Sequence, residues 1–205
     1  MQYSINDYIL SLKNLGLKKG DNIFIHSNIA FFGPVDIHWD FLQPGYNEHN
    51  IKDFFLEPIF DLIGENGTIV VPTFTYSFTN NLAFDIENSE SKMGLLAETI
   101  RKDPDSSRSH DPIFSVSAIG KNSKYFTSNV SKYCFGKNSF WERFHYMNGK
   151  LLGFNFGTAA TIFHHFEWLL KVPYRMEKKF VGKSIINGKL IDDYAIYFCR
   201  NYEIN

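Results

Sequence analysis

Cysteine is nearly absent from this 205-residue chain: Cys134 and Cys199 are the only two, far apart and not in CxxC spacing. Nothing suggests a disulfide framework, and a reducing cytoplasm is the expected compartment. Neither sign of charge is in excess: 21 Lys and Arg stand against 22 Asp and Glu, a net charge of −1. Without a basic surplus to drive phosphate-backbone binding, no nucleic-acid partner is expected. No run approaches the ~20 apolar residues of a membrane-spanning helix. The opening MQYSINDYILSLKNLG does not have the pattern of a signal peptide. A soluble protein with no membrane partner is the expectation.

Standard catalytic signatures are missing as well. GxGxxG, HExxH and GxSxG do not occur. Gly182-Lys183-Ser184 resembles the end of a phosphate loop, but Glu177 stands where the first glycine belongs. Ser109-His110-Asp111 has the letters of a hydrolase triad, yet adjacent side chains cannot converge on one another.

What the chain does have is aromatic bulk, with 21 Phe, 11 Tyr and 3 Trp. Its length allows burial of roughly 70–75% of the unfolded surface, enough for one unstapled core. Ser4-Ile5-Asn6-Asp7 starts a helix with a side-chain oxygen at the cap and an acid three residues on. Short apolar strands are expected at 22–26, 68–71, 113–119 and 150–156. Helical stripes are expected at 51–63, where Pro58 implies a kink or a late start, and at 95–102. Further helices are expected at 121–127, 139–146 and 161–171. The alternation of these elements implies an α/β fold in a single domain over 1–205, with residues 34–50 as a long surface excursion.

The segment from Thr161 to Glu167 is the most informative. On a helix, Ile162, Phe163, Phe166, Leu169 and Leu170 make one apolar face, and His164 and Glu167 project together from the other side. A carboxylate one turn from an imidazole fixes its tautomer and stabilises the imidazolium, as a general base requires. The same spacing also describes an ordinary surface pair worth a few tenths of a kcal/mol. His165 reads as a packed, hydrogen-bonded core histidine. Adjacent helical histidines diverge by about 100°, so a shared metal is not expected. Two polar turns, Arg108-Ser109-His110-Asp111 and Thr73-Phe74-Thr75-Tyr76, leave strand ends where α/β ligands tend to bind.

Taken in order, these segments resemble the aminoglycoside 3-N-acetyltransferase family. The motifs are His26-Ser27 to Gly33, Gly67 to Tyr76, Gly94 to Arg101, Arg108-Ser109 with Pro112 and Ser115, Thr161-x-x-His164-x-x-Glu167, and Pro173-Tyr174-Arg175. They run over roughly residues 14–183. The resemblance implies an α/β/α sandwich around a mixed β-sheet and acetyl transfer from acetyl-CoA to a sugar amine, with no metal. His164 would be the base and Glu167 its orienting acid. Asp111, where many members have histidine, would contact the amine or hold His164. Ser27, Asn28, Phe32, Gly33, Thr73, Thr75, Arg108, Ser109 and Ser115 would line the CoA site, and Tyr76 and Glu98 the acceptor. The chain also reads as short at its C-terminus for this family. Residues 133–140 and 172–175 look more like members acting in surface-polysaccharide biosynthesis, where the acceptor is a nucleotide-linked or precursor amino sugar. A homodimer is compatible with this reading. The alternative is a non-catalytic sugar- or CoA-binding relic.

Overall fold

Residues 23–25 and 69–71 are apolar at every position, the pattern of strands covered on both faces. In the computed structural model, which describes residues 3–29, 51–157 and 160–203, they form the middle of a sheet. The elements are α1 (Ile5–Asn14), β1 (Asn22–Ser27), a π-helical turn (Lys52–Leu56) running into α2 (Glu57–Ile63), and β2 (Thr68–Pro72). Next come a 3-10 turn (Ser77–Asn80), β3 (Phe84–Asp85), α3 (Leu95–Lys102), β4 (Ser107–Arg108), β5 (Val116–Gly120), α4 (Ser123–Thr127) and α5 (Phe140–Tyr146). The chain ends with β6 (Lys150–Phe154), α6 (Phe163–Leu169), β7 (Arg175–Ile186) and β8 (Lys189–Arg200).

Five strands form a mixed sheet in the order β4-β5-β2-β1-β6, with β1 parallel to both β2 and β6. Ile23, Ile25, Ile69 and Val71 face one core with Tyr8 and Leu12 of α1, the 54–63 helix and Leu96 and Ile100 of α3. Phe24, Val70, Val116 and Ala118 face the other, with Phe126, Phe140, Trp141 and Phe144. The expected α/β/α sandwich is therefore present. No helix among the described residues is long and apolar enough to cross a membrane.

Local expectations hold where chemistry is local. Ser4 Oγ accepts from the Asp7 amide at 3.2 Å and Asp7 returns an acceptor to the Ser4 amide at 2.9 Å, closing a capping box. Pro58 lies in the first turn of α2, so the regular helix does start late. The strand expected at 113–119 begins only at Val116, because residues before it form a turn. A larger departure is β7–β8, a hairpin of two 12-residue strands that adds a second sheet, β3-β7-β8. Phe32, Gly33 and the aromatic stretch at 31–49 lie outside the described residues.

Two core histidines bear on stability. His26 and His165 are 4% and 0% exposed, and burial pulls both from 6.5 down to about 4, with His145 adding to the shift at His165 against Glu142. His110 moves the same way, since burial and Lys132 outweigh Asp193. Above pH 6.5 these groups are neutral whether the chain is folded or not. Below it, the unfolded chain binds protons that the fold refuses, so stability falls as pH drops from about 6.5 to about 4. The expected loss is of order 1–3 kcal/mol for each buried histidine. Urea midpoints across this range should fall, less steeply in His165→Leu. A constant midpoint down to pH 4.5 would contradict this.

Candidate active site

Strand β1 is parallel to β2 on one side and β6 on the other, so the carboxyl ends of all three lie at one edge of the sheet. Ligands of α/β proteins tend to bind at that edge. Ser27 ends β1 and Asn28 follows it, Thr73 to Tyr76 follow β2, and the chain leaving β6 leads to α6.

On α6, His164 Nδ1 lies 2.7 Å from Glu167 Oε2. Glu167 Oε2 is also 2.7 Å from Arg175 Nε, and its Oε1 accepts from the Tyr174 hydroxyl at 3.0 Å. The return of residues 174 and 175 follows from the end of α6. Val172 N–H bonds Glu167 O and Lys171 N–H bonds Trp168 O, with Lys171 at φ 49°, a Schellman ending that reverses the chain. Burial raises the Glu167 carboxyl, but hydrogen bonds from His164 and Tyr174 and the charge of Arg175 outweigh it, so the group sits below its usual value and stays ionised. An ionised acceptor at Nδ1 places the ring proton there and leaves the lone pair on Nε2. Nε2 makes no hydrogen bond among the described residues. The edge of Phe135 closes the imidazole from one side, at 5.3 Å between ring centroids.

The sequence profile described as aminoglycoside 3-N-acetyltransferase matches residues 37–195. The chain belongs to the aminoglycoside 3-N-acetyltransferase family. No curated protein sequence matches. Among solved structures, the fold is similar to AAC-IIIb in binary complex with CoASH, with a TM-score of 0.80 at 20% identity, covering 97% of this chain and 77% of that one. It is also similar to AAC-VIa bound to sisomicin (TM-score 0.78, 20% identity, 97% of this chain and 77% of that one). A third similar fold is YokD from Bacillus subtilis (0.74, 22%, 98% and 83%). At these identities the neighbours support the fold.

The acetyltransferase-family chain uses its other candidate side chains largely to build the crevice. Asp111 is buried, and its Oδ1 accepts from the amides of Ile113 and Phe114, each at 2.9 Å, with Cys134 Sγ at 3.5 Å. Burial raises its pKa in spite of those bonds, and it makes no hydrogen bond or ion pair with His164. Thr73 Oγ1 donates to Ser115 Oγ, Ser115 Oγ donates to Thr73 O at 2.6 Å, and Ser109 Oγ accepts from the Val116 amide. Thr75 Oγ1 donates to Pro112 O at 3.1 Å. Arg108 donates to the carbonyls of Ile86, Ser89 and Thr73 and lies 5.1 Å over the Phe84 ring. Burial, then the charge of Arg101, pulls its guanidinium down to about 10. Glu98 grips Arg101 through both carboxylate oxygens and accepts from the Ser91 amide. Tyr76 takes the left-handed conformation at φ 53°, its ring against Phe74 and Phe114.

Two readings of α6 need correction. Phe163, Leu169 and Leu170 are exposed, so only part of the expected apolar face docks this short helix: Ile162 at its N-cap and Phe166 pack against the core, beside the buried His165. His165 is packed as expected, but neither ring nitrogen has a hydrogen-bond partner. Sequence reasoning passed over Arg175 and Tyr174 as site residues, and over Asp193, whose carboxylate holds Lys132 at 2.5 Å and lies 2.8 Å from His110 Nε2. Among the described residues, no group of three or more His, Cys, Asp and Glu is placed to hold a metal ion.

Removing the shared carboxylate in Glu167→Ala should cost about 1–3 kcal/mol in urea denaturation, since Arg175 and Tyr174 lose their acceptor. Lys171→Gly, which relieves the left-handed lysine, should instead raise stability by about 0.5–1 kcal/mol. A loss in that variant would mean the Lys171 side chain contributes more than its strained backbone removes.

Proposed function

We propose that this protein transfers an acetyl group from acetyl-CoA to the amine of an amino sugar, with His164 as general base. The observation that carries the reading is the half-exposed imidazole of α6 whose Nδ1 is fixed by an ionised carboxylate. It is supported by family membership and by the similar fold of AAC-IIIb in complex with CoASH. The crevice residues fit a neutral thioester chain. Ser27 and Asn28 offer hydroxyl, amide and backbone groups rather than carboxylates. Nearby, His26 has a buried Nε2 with no partner. Those residues would hold the CoA thioester.

When bound, acetyl-CoA supplies the acyl group as an activated thioester. His164 Nε2 would take the proton that the acceptor nitrogen sheds as the N–C bond forms and the C–S bond breaks, and the imidazolium would return that proton to the departing sulfur, which leaves as the thiol and restores neutral His164. Glu167 keeps the imidazole in the tautomer that exposes Nε2 and offsets its positive charge after proton uptake. Arg175 and Tyr174 hold Glu167 in place. The sequence resemblance at 133–140 and 172–175 favours a biosynthetic amino sugar over an antibiotic as acceptor.

A thiol-release assay with acetyl-CoA across amino-sugar acceptors tests the reaction. His164→Ala should lower kcat by about 10² or more, with circular dichroism unchanged. Full turnover in a folded His164→Ala protein would sink the general-base assignment.

A further inference from the structure

Near the end of β1 stands a polar side chain that costs the fold stability. His26 is 4% exposed, and its Nε2 is buried with no hydrogen-bond partner among the described residues. Burial pulls the imidazole down to about 4, so at neutral pH the ring is uncharged and one nitrogen carries its single N–H. An apolar ring would suit the packing better, because an unmet buried polar group destabilises a core. Such a group in a native fold calls for a use.

Its surroundings indicate one. Side chains two apart on a strand share a face, so His26 lies on the side of Phe24, which belongs to the same cluster as Trp141, Ile162 and Phe166. That is the face α6 covers, and Ser27 and Asn28 follow directly. The imidazole is held between two rings. Phe24, fully buried, meets it edge-on at 4.9 Å, while Phe156 stacks on it at 4.3 Å with the planes 7° apart. Phe156 is only half-buried and sits between two exposed residues, left-handed Asn155 (φ 45°) and Gly157, beside which a Cβ would meet nothing within 4 Å. The core thus closes one side of His26, and a single ring of a surface turn roofs the other.

Building on the acetyltransfer reading, we propose that His26 is a second catalytic histidine, an uncharged donor whose Nε2–H bonds the thioester carbonyl oxygen once the acyl group has displaced Phe156. That oxygen gains negative charge as the acceptor nitrogen adds to the carbonyl carbon, and loses it when the C–S bond breaks. His26 keeps its proton throughout, and His164 is the group that takes one up and returns it. A fixed donor in a water-poor site stabilises such an oxyanion more than water does, because it needs no reorientation as the charge develops.

The test separates this role from packing. His26→Phe keeps a flat ring and removes both nitrogens. Its urea midpoint should rise above that of the wild type, since an unsatisfied group leaves the core. Its kcat for acetyl-CoA-dependent thiol release should nevertheless fall by about 10²-fold, with KM for both substrates changing little. A purely structural histidine would move stability and turnover in the same direction. His26→Gln, which returns an N–H near the place of Nε2, should recover about tenfold in kcat over His26→Phe.

A second readout needs no turnover. With acetyl-CoA carrying ¹³C at the thioester carbon, the infrared carbonyl stretch should move to lower frequency on binding the wild type and stay unshifted on binding His26→Phe. Wild-type kcat in folded His26→Phe, a kcat that falls only together with stability, or equal carbonyl frequencies in the two proteins would overturn the proposal. A shifted carbonyl in a wild-type protein that releases no thiol with any amino sugar would leave His26 its role and sink acetyl transfer to a sugar amine. Thiol release that survives His26→Phe undiminished would do the reverse.

Discussion

The buried carboxylate of Asp193 is the constraint on which the placing of the hairpin depends. A two-stranded ribbon is marginal alone in water, and β7 and β8 expose most of their length. At Asp193 the ribbon is tied down: Lys132 from one loop, His110 from the turn before Asp111, and the Ser184 hydroxyl across the hairpin all converge on one side chain 4% exposed. Burial alone would raise this carboxyl, but its bonds to Lys132, Ser184 and the Tyr194 amide keep it low and charged. Around that anchor, Cys134 N–H bonds Ile196 O, and Ile196 N–H bonds Lys132 O. Gly182 crosses Phe78 so closely that a Cβ would come within 2.8 Å of the ring. The same docking carries Arg175 to Glu167 and Tyr197 to Phe135.

A second buried charge shapes the opposite side of the crevice. Arg108 donates to three backbone carbonyls from two segments, residues 86–89 and Thr73, so it ties that turn to the chain leaving β2. Ser109, Thr73 and Ser115 are bonded to the backbone or to one another and buried, so these hydroxyls hold the frame beside Arg108 rather than face a ligand.

Much of this was legible in the sequence because local rules govern it. The Ser4–Asp7 box, the late start at Pro58 and the fully apolar strands β1 and β2 each follow from a few neighbouring residues. The hairpin was hidden because β7 exposes residues on both faces and so shows no alternation. Its signal was Asn187-Gly188, both left-handed and bridging Ile186 and Lys189 in a two-residue turn. The apolar stripe of α6 misled for a different reason. A seven-residue helix turns few side chains inward: His165, Phe166 and Trp168 pack with the N-cap Ile162, and Phe163, Leu169 and Leu170 stay at the surface. His110 required tertiary knowledge, since its partner Asp193 lies in β8, whereas Asp111 is held by amides two and three residues on.

His164 and Glu167 show why spacing alone leaves two readings open. An i,i+3 pair on a solvated helix is weak, because both side chains lose freedom and water screens their attraction. What distinguishes this pair is the chain reversal at Lys171, which returns Arg175 and Tyr174 to the same carboxylate. Glu167 then has its rotamer fixed by three partners, and the imidazole inherits that order through Nδ1. Arg175 draws on the same oxygen that faces His164, so the carboxylate stays ionised and is held on both sides. Its part toward the imidazole is therefore one of position: it fixes the ring through Nδ1 and leaves Nε2 as the nitrogen without a hydrogen bond among the described residues, which is what separates a placed histidine from an ordinary surface pair.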